Sequence, residues 1–128
     1  LAQLPRSPEK ALSDLESAEK IAPDRLEVLQ NLAHVHSEYF HDLDRSLSYM
    51  KRIVQIYPDN ESSLADYCVL LARLGRIEEA LEAMQELESG IPRSPPTQYQ
   101  MACAHALISK VRPESKTIAL RYLWRSIT

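Results

Sequence analysis

Three prolines recur at a nearly constant interval, and this spacing constrains the fold of the chain more than any other feature. Pro23, Pro58 and Pro92 lie 35 and 34 residues apart. Because proline breaks helix interiors and central strands, each of the three should lie between elements. A fixed period of this size is typical of proteins built from stacked structural repeats. The spacing therefore predicts a repeat architecture.

The segments between the prolines carry apolar residues at helical spacing, in two stripes per segment. In the third segment Gly75 separates the stripes, and glycine suits the left-handed residue that ends a helix. One amphipathic pair cannot bury its own apolar face, so neighbouring pairs must stack. The two stripes of the third segment are Leu64, Tyr67, Cys68 and Leu71, then Ile77, Ala80, Leu81, Met84 and Leu87.

Capping residues support the helix boundaries that this pattern indicates. Ser7 and Ser94 each precede a proline, and Asp42 and Asn60 precede apolar stripes. All four can supply a side-chain acceptor to the first turn of a helix. Two glycines in 128 residues are too few for a β-sandwich or for a phosphate-binding loop. The sequence predicts seven helices, at about 8–21, 24–39, 43–56, 60–74, 76–89, 95–109 and 115–127.

The register of the 34-residue unit resembles the tetratricopeptide repeat. The third repeat matches best, through the two stripes given above, the Gly75 turn and the closing Pro92. The second repeat matches with one extra residue near His41. The resemblance implies an all-α fold, a right-handed α-solenoid of antiparallel helix pairs, as one domain over residues 1–128. Its repeats are expected at about 1–25, 26–60, 61–94 and 95–128, and a chain that starts at Leu1 is interpreted as part of a longer protein.

Charge and cysteine content narrow the classes of function. The net charge of −3 and pI near 5.8 argue against a general nucleic-acid binder, which is usually basic. No apolar run is long enough to cross a membrane. Cys68 and Cys103 lie in apolar runs, so we expect buried, reduced thiols and a cytoplasmic location.

No group of residues in the sequence has the pattern of a catalytic or metal site. His34, His36, Glu38, His41 and Asp42 have suitable ligand types, but on a helix they do not converge as a metal requires. Neither cysteine has an adjacent base or a CxxC spacing that would activate it. We therefore expect no enzyme activity, no cofactor and no metal.

In the family that the chain resembles, one face of each first helix lines a concave groove that binds peptide segments or helices. We expect the same groove here, with Tyr99 and His34 as anchors. Asp66 stands where members that clamp a carboxylate carry a cation, so it should repel such a ligand. The groove residues carried over are Gln30, Asn31, His34, Ala65, Asp66, Val69, Arg73, Tyr99, Cys103 and Ala106.

The resemblance thus implies a non-enzymatic protein–protein interaction module, acting as a scaffold or as a regulatory part of a larger protein. A first alternative is self-association through the last helix. There Leu120, Trp124 and Ile127 recur at helical spacing, and Ala119 and Leu123 are expected to face the core. A second alternative is an RNA-binding helical repeat, which a groove holding Arg73 as its one cation disfavours.

Overall fold

A computed structural model of the chain describes residues 7–89 and 93–127. These residues form seven helices and no strand, which confirms the predicted all-α class, and every helix end lies within two residues of its expected position. The three residues before Arg93, which include Pro92, lie outside the described part. The helices are α1 (Pro8–Ile21), α2 (Leu26–Glu38), α3 (Leu43–Ile56), α4 (Glu61–Arg73), α5 (Ile77–Glu88), α6 (Pro95–Ile108) and α7 (Ser115–Ile127).

The chain divides into two compact units, unit 1 over residues 1–58 and unit 2 over residues 59–128. The division lies two residues before the predicted boundary between the second and third repeats. The expectation of one repeat domain over the whole chain stays a prediction. Pro23 and Pro58 lie between helices, as their chemistry requires.

In unit 1, α2 packs against both α1 and α3. A buried hydrogen bond joins α3 to α2, because the Ser46 hydroxyl donates to the Ala33 carbonyl over 2.9 Å. Arg52 of α3 reaches α1 and the following turn, with 2.8 Å to Glu19 and 3.0 Å to the Pro23 carbonyl. The core of unit 1 consists of Leu29, Leu32, Ala33, Val35, Leu47, Met50 and Ile53.

In unit 2, α4 packs against α5 and α6, and α6 packs against α7. The first helices of two successive repeats, α4 and α6, are therefore neighbours, as stacking of helix pairs demands. Cys68, Leu71 and Met84 of the predicted stripes are buried in the core, whereas Leu64, Tyr67, Ile77 and Leu81 are half-buried. The other large core residues are Leu70, Leu87, Met101 and Ile108.

The turns inside the α2–α3 and α4–α5 pairs are built differently. Gly75 has φ +77°, and the Arg76 and Gly75 amides bond to the Leu71 and Ala72 carbonyls over 2.9 and 3.1 Å. This bonding is a Schellman motif, which satisfies the carbonyls at the end of α4. The turn after α2 uses His41 at φ +51°. Its extra residue is the insertion that the sequence indicated.

Three of the four predicted caps are confirmed. The side chains of Ser7, Asp42 and Asn60 accept from amides three residues later, at 3.1, 3.0 and 2.9 Å. The prediction for Ser94 was wrong, because its side chain makes no cap bond to α6. Its hydroxyl instead donates a hydrogen bond to the carboxylate of Glu61 on α4, over 2.7 Å.

Candidate functional site

A cleft of about 570 Å³ opens between the N-terminal turns of α4 and α6 in unit 2. We call it the α4–α6 cleft. Its walls combine hydroxyl groups, one carboxylate, one amide, a proline ring and an aromatic ring. The lining residues are Glu61, Ser62, Ala65, Ser94, Pro96, Thr97, Tyr99 and Gln100.

Glu61 is fixed in one wall of the cleft by donors from the start of α6. Its Oε2 atom accepts from the Ser94 amide at 3.2 Å, from the Ser94 hydroxyl at 2.7 Å and from the Thr97 hydroxyl. The hydrogen bonds from Thr97 and Ser94 stabilise the charged form and lower the pKa of this carboxyl. Glu61 is thus a pre-positioned anion that joins the two walls.

Arg93 borders this anion but is held mainly elsewhere. Its guanidinium donates to the Leu87 carbonyl over 3.1 Å and to the Glu86 carbonyl over 3.0 Å, at the end of α5. These carbonyls have no partner within the helix, and a cation suits the C-terminal end of a helix. The Arg93 Nη1 atom lies 3.9 Å from Glu61 Oε1, a loose ion pair.

Tyr99 and Gln100 supply the wall on the α6 side. Tyr99 is 54% exposed although it is a large aromatic residue. Gln100 donates from its amide nitrogen to Asp66 Oδ1 over 2.7 Å, which ties the cleft to the next turn of α4. Although Asp66 keeps a solvent-accessible edge, the surrounding protein removes part of its hydration and raises its pKa.

The predicted groove residues of unit 2 separate into two sets. Ala65 and Tyr99 line the α4–α6 cleft, with Ala65 otherwise buried, and Asp66 stands beside it through Gln100. Outside the cleft, Val69 and Cys103 are half-buried, and Arg73 and Ala106 are exposed, along α4 and α6. As a groove, this set stays a prediction.

The predicted groove residues of unit 1 lie on α2. Asn31 and His34 are exposed, and Gln30 is half-buried. The imidazole of His34 meets the ring of Tyr39 edge-on, with 6.3 Å between centroids. The neighbouring His36 is buried in the core instead.

The predicted apolar face of α7 is solvent-exposed in unit 2. Leu120, Trp124 and Ile127 are each more than half exposed. Ala119 is buried as expected, but Leu123 was wrongly expected to face the core, since it is 39% exposed. Leu123 lies one turn after Ala119 on the same side of α7, so the packing that buries Ala119 does not fully cover Leu123.

The described residues offer little for covalent or metal chemistry. Among them no group of three or more His, Cys, Asp or Glu side chains is arranged to hold a metal. Burial raises the pKa of the Cys68 thiol to about 12, so it carries almost no thiolate near neutral pH. Cys103 is half-buried rather than buried. No helix in the described part is long and apolar enough to span a membrane.

Glu61 and Thr97 are residues of the candidate site that the sequence did not predict. The repeat register held a signal for them, because 36 residues separate the two, close to one period. Both open the first helix of a repeat, and such positions meet when first helices pack side by side. Whether a polar pair there would point into a cleft depends on helix packing, which the sequence alone did not provide.

Helix–turn–helix units whose first helices are neighbours define the class of an all-helical repeat protein. Within that class, the family model of the tetratricopeptide repeat matches residues 40–106, just over half of the chain, and the chain belongs to this family. The predicted resemblance is therefore confirmed. No curated protein sequence matches the chain. Tetratricopeptide repeats generally mediate protein–protein interactions and are typically non-catalytic.

Proposed function

We propose that this chain is a non-enzymatic interaction module that binds a peptide segment or helix of a partner protein in the α4–α6 cleft. The observation that carries the proposal is an exposed aromatic ring beside a cleft of about 570 Å³. Tyr99 offers a large contact area at a low cost in side-chain entropy, as anchors of binding sites do. The cleft size is in the range of ligand-binding clefts.

The polar groups around Tyr99 suit an extended backbone or a helix end. Ser62 is exposed at the cleft, and Gln100 is half-buried there. Hydroxyl and amide groups can both donate and accept, so they match the alternating polar groups of a peptide. Glu61 and Asp66 make the same region unfavourable for an anionic ligand. These polar and charged groups favour a peptide that places no carboxylate in the cleft.

Tyr99→Ala tests the proposal against Tyr39→Ala. Both tyrosines are 54% exposed, but Tyr39 lies outside the cleft. Peptides selected from a displayed random library against the immobilised chain should lose about tenfold or more in affinity for the Tyr99→Ala variant. They should bind Tyr39→Ala as they bind the unmodified chain. Equal binding to all three proteins, with unchanged circular dichroism, would place the peptide site elsewhere.

The wider role follows from the same proposal. We expect the module to act as a scaffold or regulatory part of a larger protein in the cytoplasm, without cofactor, nucleic acid or membrane as partner. An acidic cleft is a poor match for a phosphate backbone, which requires cations. A labelled single-stranded RNA that bound the chain at low salt would argue for the RNA-binding alternative.

Self-association is a second candidate function, favoured by the exposed apolar face of α7. Large exposed apolar residues at helical spacing are typical of interaction surfaces. Sedimentation velocity of the chain at tens of micromolar distinguishes the two functions. A dimer that Trp124→Ser converts to monomer would support association through α7, and a monomer in both cases would eliminate it.

A further inference from the structure

The charge of the α4–α6 cleft indicates which kind of partner side chain the cleft can bind. Among the described residues that line the cleft there is one carboxylate, from Glu61, and no Lys or Arg. Asp66 adds a second carboxylate one helical turn from Ser62. A region with two carboxylates and an aromatic wall has a negative local potential, which attracts cations.

The nearby arginine neutralises only part of this charge. Arg93 gives its two short hydrogen bonds to the Glu86 and Leu87 carbonyls. Its contact with Glu61 is long, at 3.9 Å, and reaches Oε1, whereas Ser94 and Thr97 bond to Oε2. The donors that hold Oε2 come from neutral groups, so they orient the carboxylate without cancelling its charge.

The charge of Asp66 is likewise not neutralised by its hydrogen-bond donor. The hydrogen bond to Asp66 Oδ1 comes from the neutral amide of Gln100. Loss of hydration raises the pKa of the Asp66 carboxyl, and a cation beside it would act in the opposite direction. An arriving cation would therefore gain more from Asp66 than from a fully hydrated surface carboxylate.

The apolar surface beside these carboxylates fits the rest of a basic side chain. Tyr99 and Pro96 are exposed on the α6 side of the cleft. Lysine and arginine carry three- or four-carbon stems that pack on apolar surface while the charged head reaches a polar group. An aromatic face also attracts the cation itself.

We propose that the α4–α6 cleft selects a partner peptide by a Lys or Arg side chain, whose cationic head pairs with the carboxylates of Glu61 and Asp66 and whose stem packs on Tyr99. The inference rests on the proposed function and adds the chemistry of the ligand. An acidic ligand is the opposite case, which Glu61 and Asp66 would repel.

Three pools of fluorescein-labelled heptapeptides test the proposal. Each pool has mixed Ala, Leu and Ser flanks and one fixed central residue, Lys, norleucine or Glu. Norleucine keeps the four-carbon stem of lysine and lacks the ammonium group. Fluorescence anisotropy with the full chain should show that the Lys pool binds about five- to tenfold more tightly than the norleucine pool at low salt. The Glu pool should bind least, and added salt should narrow the differences.

Charge-removing variants show where the selectivity arises. Asp66→Asn should reduce the preference for Lys over norleucine about threefold or more, and Glu61→Gln should act in the same direction. Because Asp66 is exposed, Asp66→Asn still tests the selectivity if Glu61→Gln unfolds the start of α6. The matched control is Glu82→Gln on α5, which removes the same charge at an exposed position outside the cleft and should leave the preference unchanged.

The outcomes separate the inference from the proposed function. Equal binding of the Lys and norleucine pools, or tightest binding of the Glu pool, overturns cation selection and leaves a peptide-binding module. A Lys preference that survives in Asp66→Asn and Glu61→Gln overturns the assignment to this cleft. Absence of binding by all three pools, with helical circular dichroism intact, overturns the proposed function as well.

Discussion

Each unit buries one histidine against a tyrosine, and the two differ in how the imidazole is satisfied. In unit 1 the His36 ring stacks on Tyr49, with centroids 5.7 Å apart and an interplanar angle of 12°. In unit 2 the His105 ring stacks on Tyr122 at 5.8 Å and 7°. Both residues are nearly inaccessible, at 3% and 2% exposure. The packing is therefore almost the same in the two units.

The two imidazole rings differ in their hydrogen bonds. His105 Nε2 lies 3.0 Å from Glu88 Oε2, which also accepts from the Tyr122 hydroxyl at 3.1 Å, and Nδ1 lies 3.5 Å from the Ser115 hydroxyl. His36 Nε2 has no partner among the described residues. A buried polar atom without a hydrogen-bond partner destabilises the fold, whereas a hydrogen-bonded one adds to the free energy of unfolding. Stacking thus shows how a ring packs, but its net effect on stability depends on its partners.

Replacing each histidine by leucine should give the largest contrast. His105→Leu leaves Glu88 and Ser115 without the ring, so we expect a loss of about 1–3 kcal/mol in the free energy of unfolding. His36→Leu removes an unpartnered atom, so we expect a change between zero and a gain of about 1 kcal/mol. Leu71, at the matching position of the third repeat, shows that a fully buried leucine fits there. Urea unfolding followed by circular dichroism measures both changes.

Hydrogen exchange provides the control for this pair of variants. Loss of protection in His105→Leu should be greatest in α6 and α7, because the bonded groups join α5, α6 and α7. Equal destabilisation by the two substitutions would contradict the comparison, since it would mean that the stacked ring matters and its hydrogen bonds do not.

The turns after α2 and after α4 give a contrast of intermediate size. Gly75→Ala should cost about 1–2 kcal/mol, because an L residue is strained at φ +77°. Beyond the two neighbouring residues, no atom of the described residues lies within 4 Å of the added Cβ, so the cost is one of backbone conformation. His41→Gly at φ +51° should instead stabilise by up to about 1 kcal/mol. Thermal unfolding measures both, and a stabilising Gly75→Ala would contradict the reasoning.

Mild acid should produce the smallest effect, in unit 1. Burial, followed by the charge of Arg45, lowers the pKa of His36 from 6.5. Below about pH 6.5 the unfolded chain therefore binds a proton on His36 more readily than the folded chain does. The free energy of unfolding falls as the pH falls below about 6.5. Well above that pH the ring is neutral in both the folded and the unfolded chain, so this loss of stability is absent.

His36→Leu is the matched variant for the acid effect. In it, the part of the stability loss between pH 7 and pH 5.5 that comes from His36 should disappear. Urea midpoints at the two pH values, for the variant and the unmodified chain, show the difference. An unchanged pH dependence in the variant would assign the effect to other groups.

Much of the helical framework could be predicted from the sequence because its signals are local. The helix-breaking prolines, the Gly75 turn and the acceptors at Ser7, Asp42 and Asn60 each act within a few residues of the chain. The expectation for Ser94 failed for the opposite reason. The Ser94 hydroxyl donates to the carboxylate of Glu61, 33 residues away. The sequence near Ser94 does not indicate that this hydrogen bond replaces the expected cap.

The candidate site was predictable only in part. Helical spacing indicated that Tyr99 and Asp66 belong to first helices that pack together, and Ala65 and Tyr99 do line one cleft. The fixing of Glu61 by Thr97 and Ser94 depends on the distance between two helices. That distance depends on how the core side chains pack, and Cys68 of α4 and Met101 of α6 are both buried.

By itself, the sequence determined the repeat period, the seven helices and the family, because helix formation and capping depend on the nearest residues. Only the tertiary structure decided which polar groups meet. His36 and His105 both occur in apolar helical stretches, yet one lacks a partner for Nε2 and the other faces Glu88. Hydrogen bonds act over about 3 Å, so their partners are set by how helices pack.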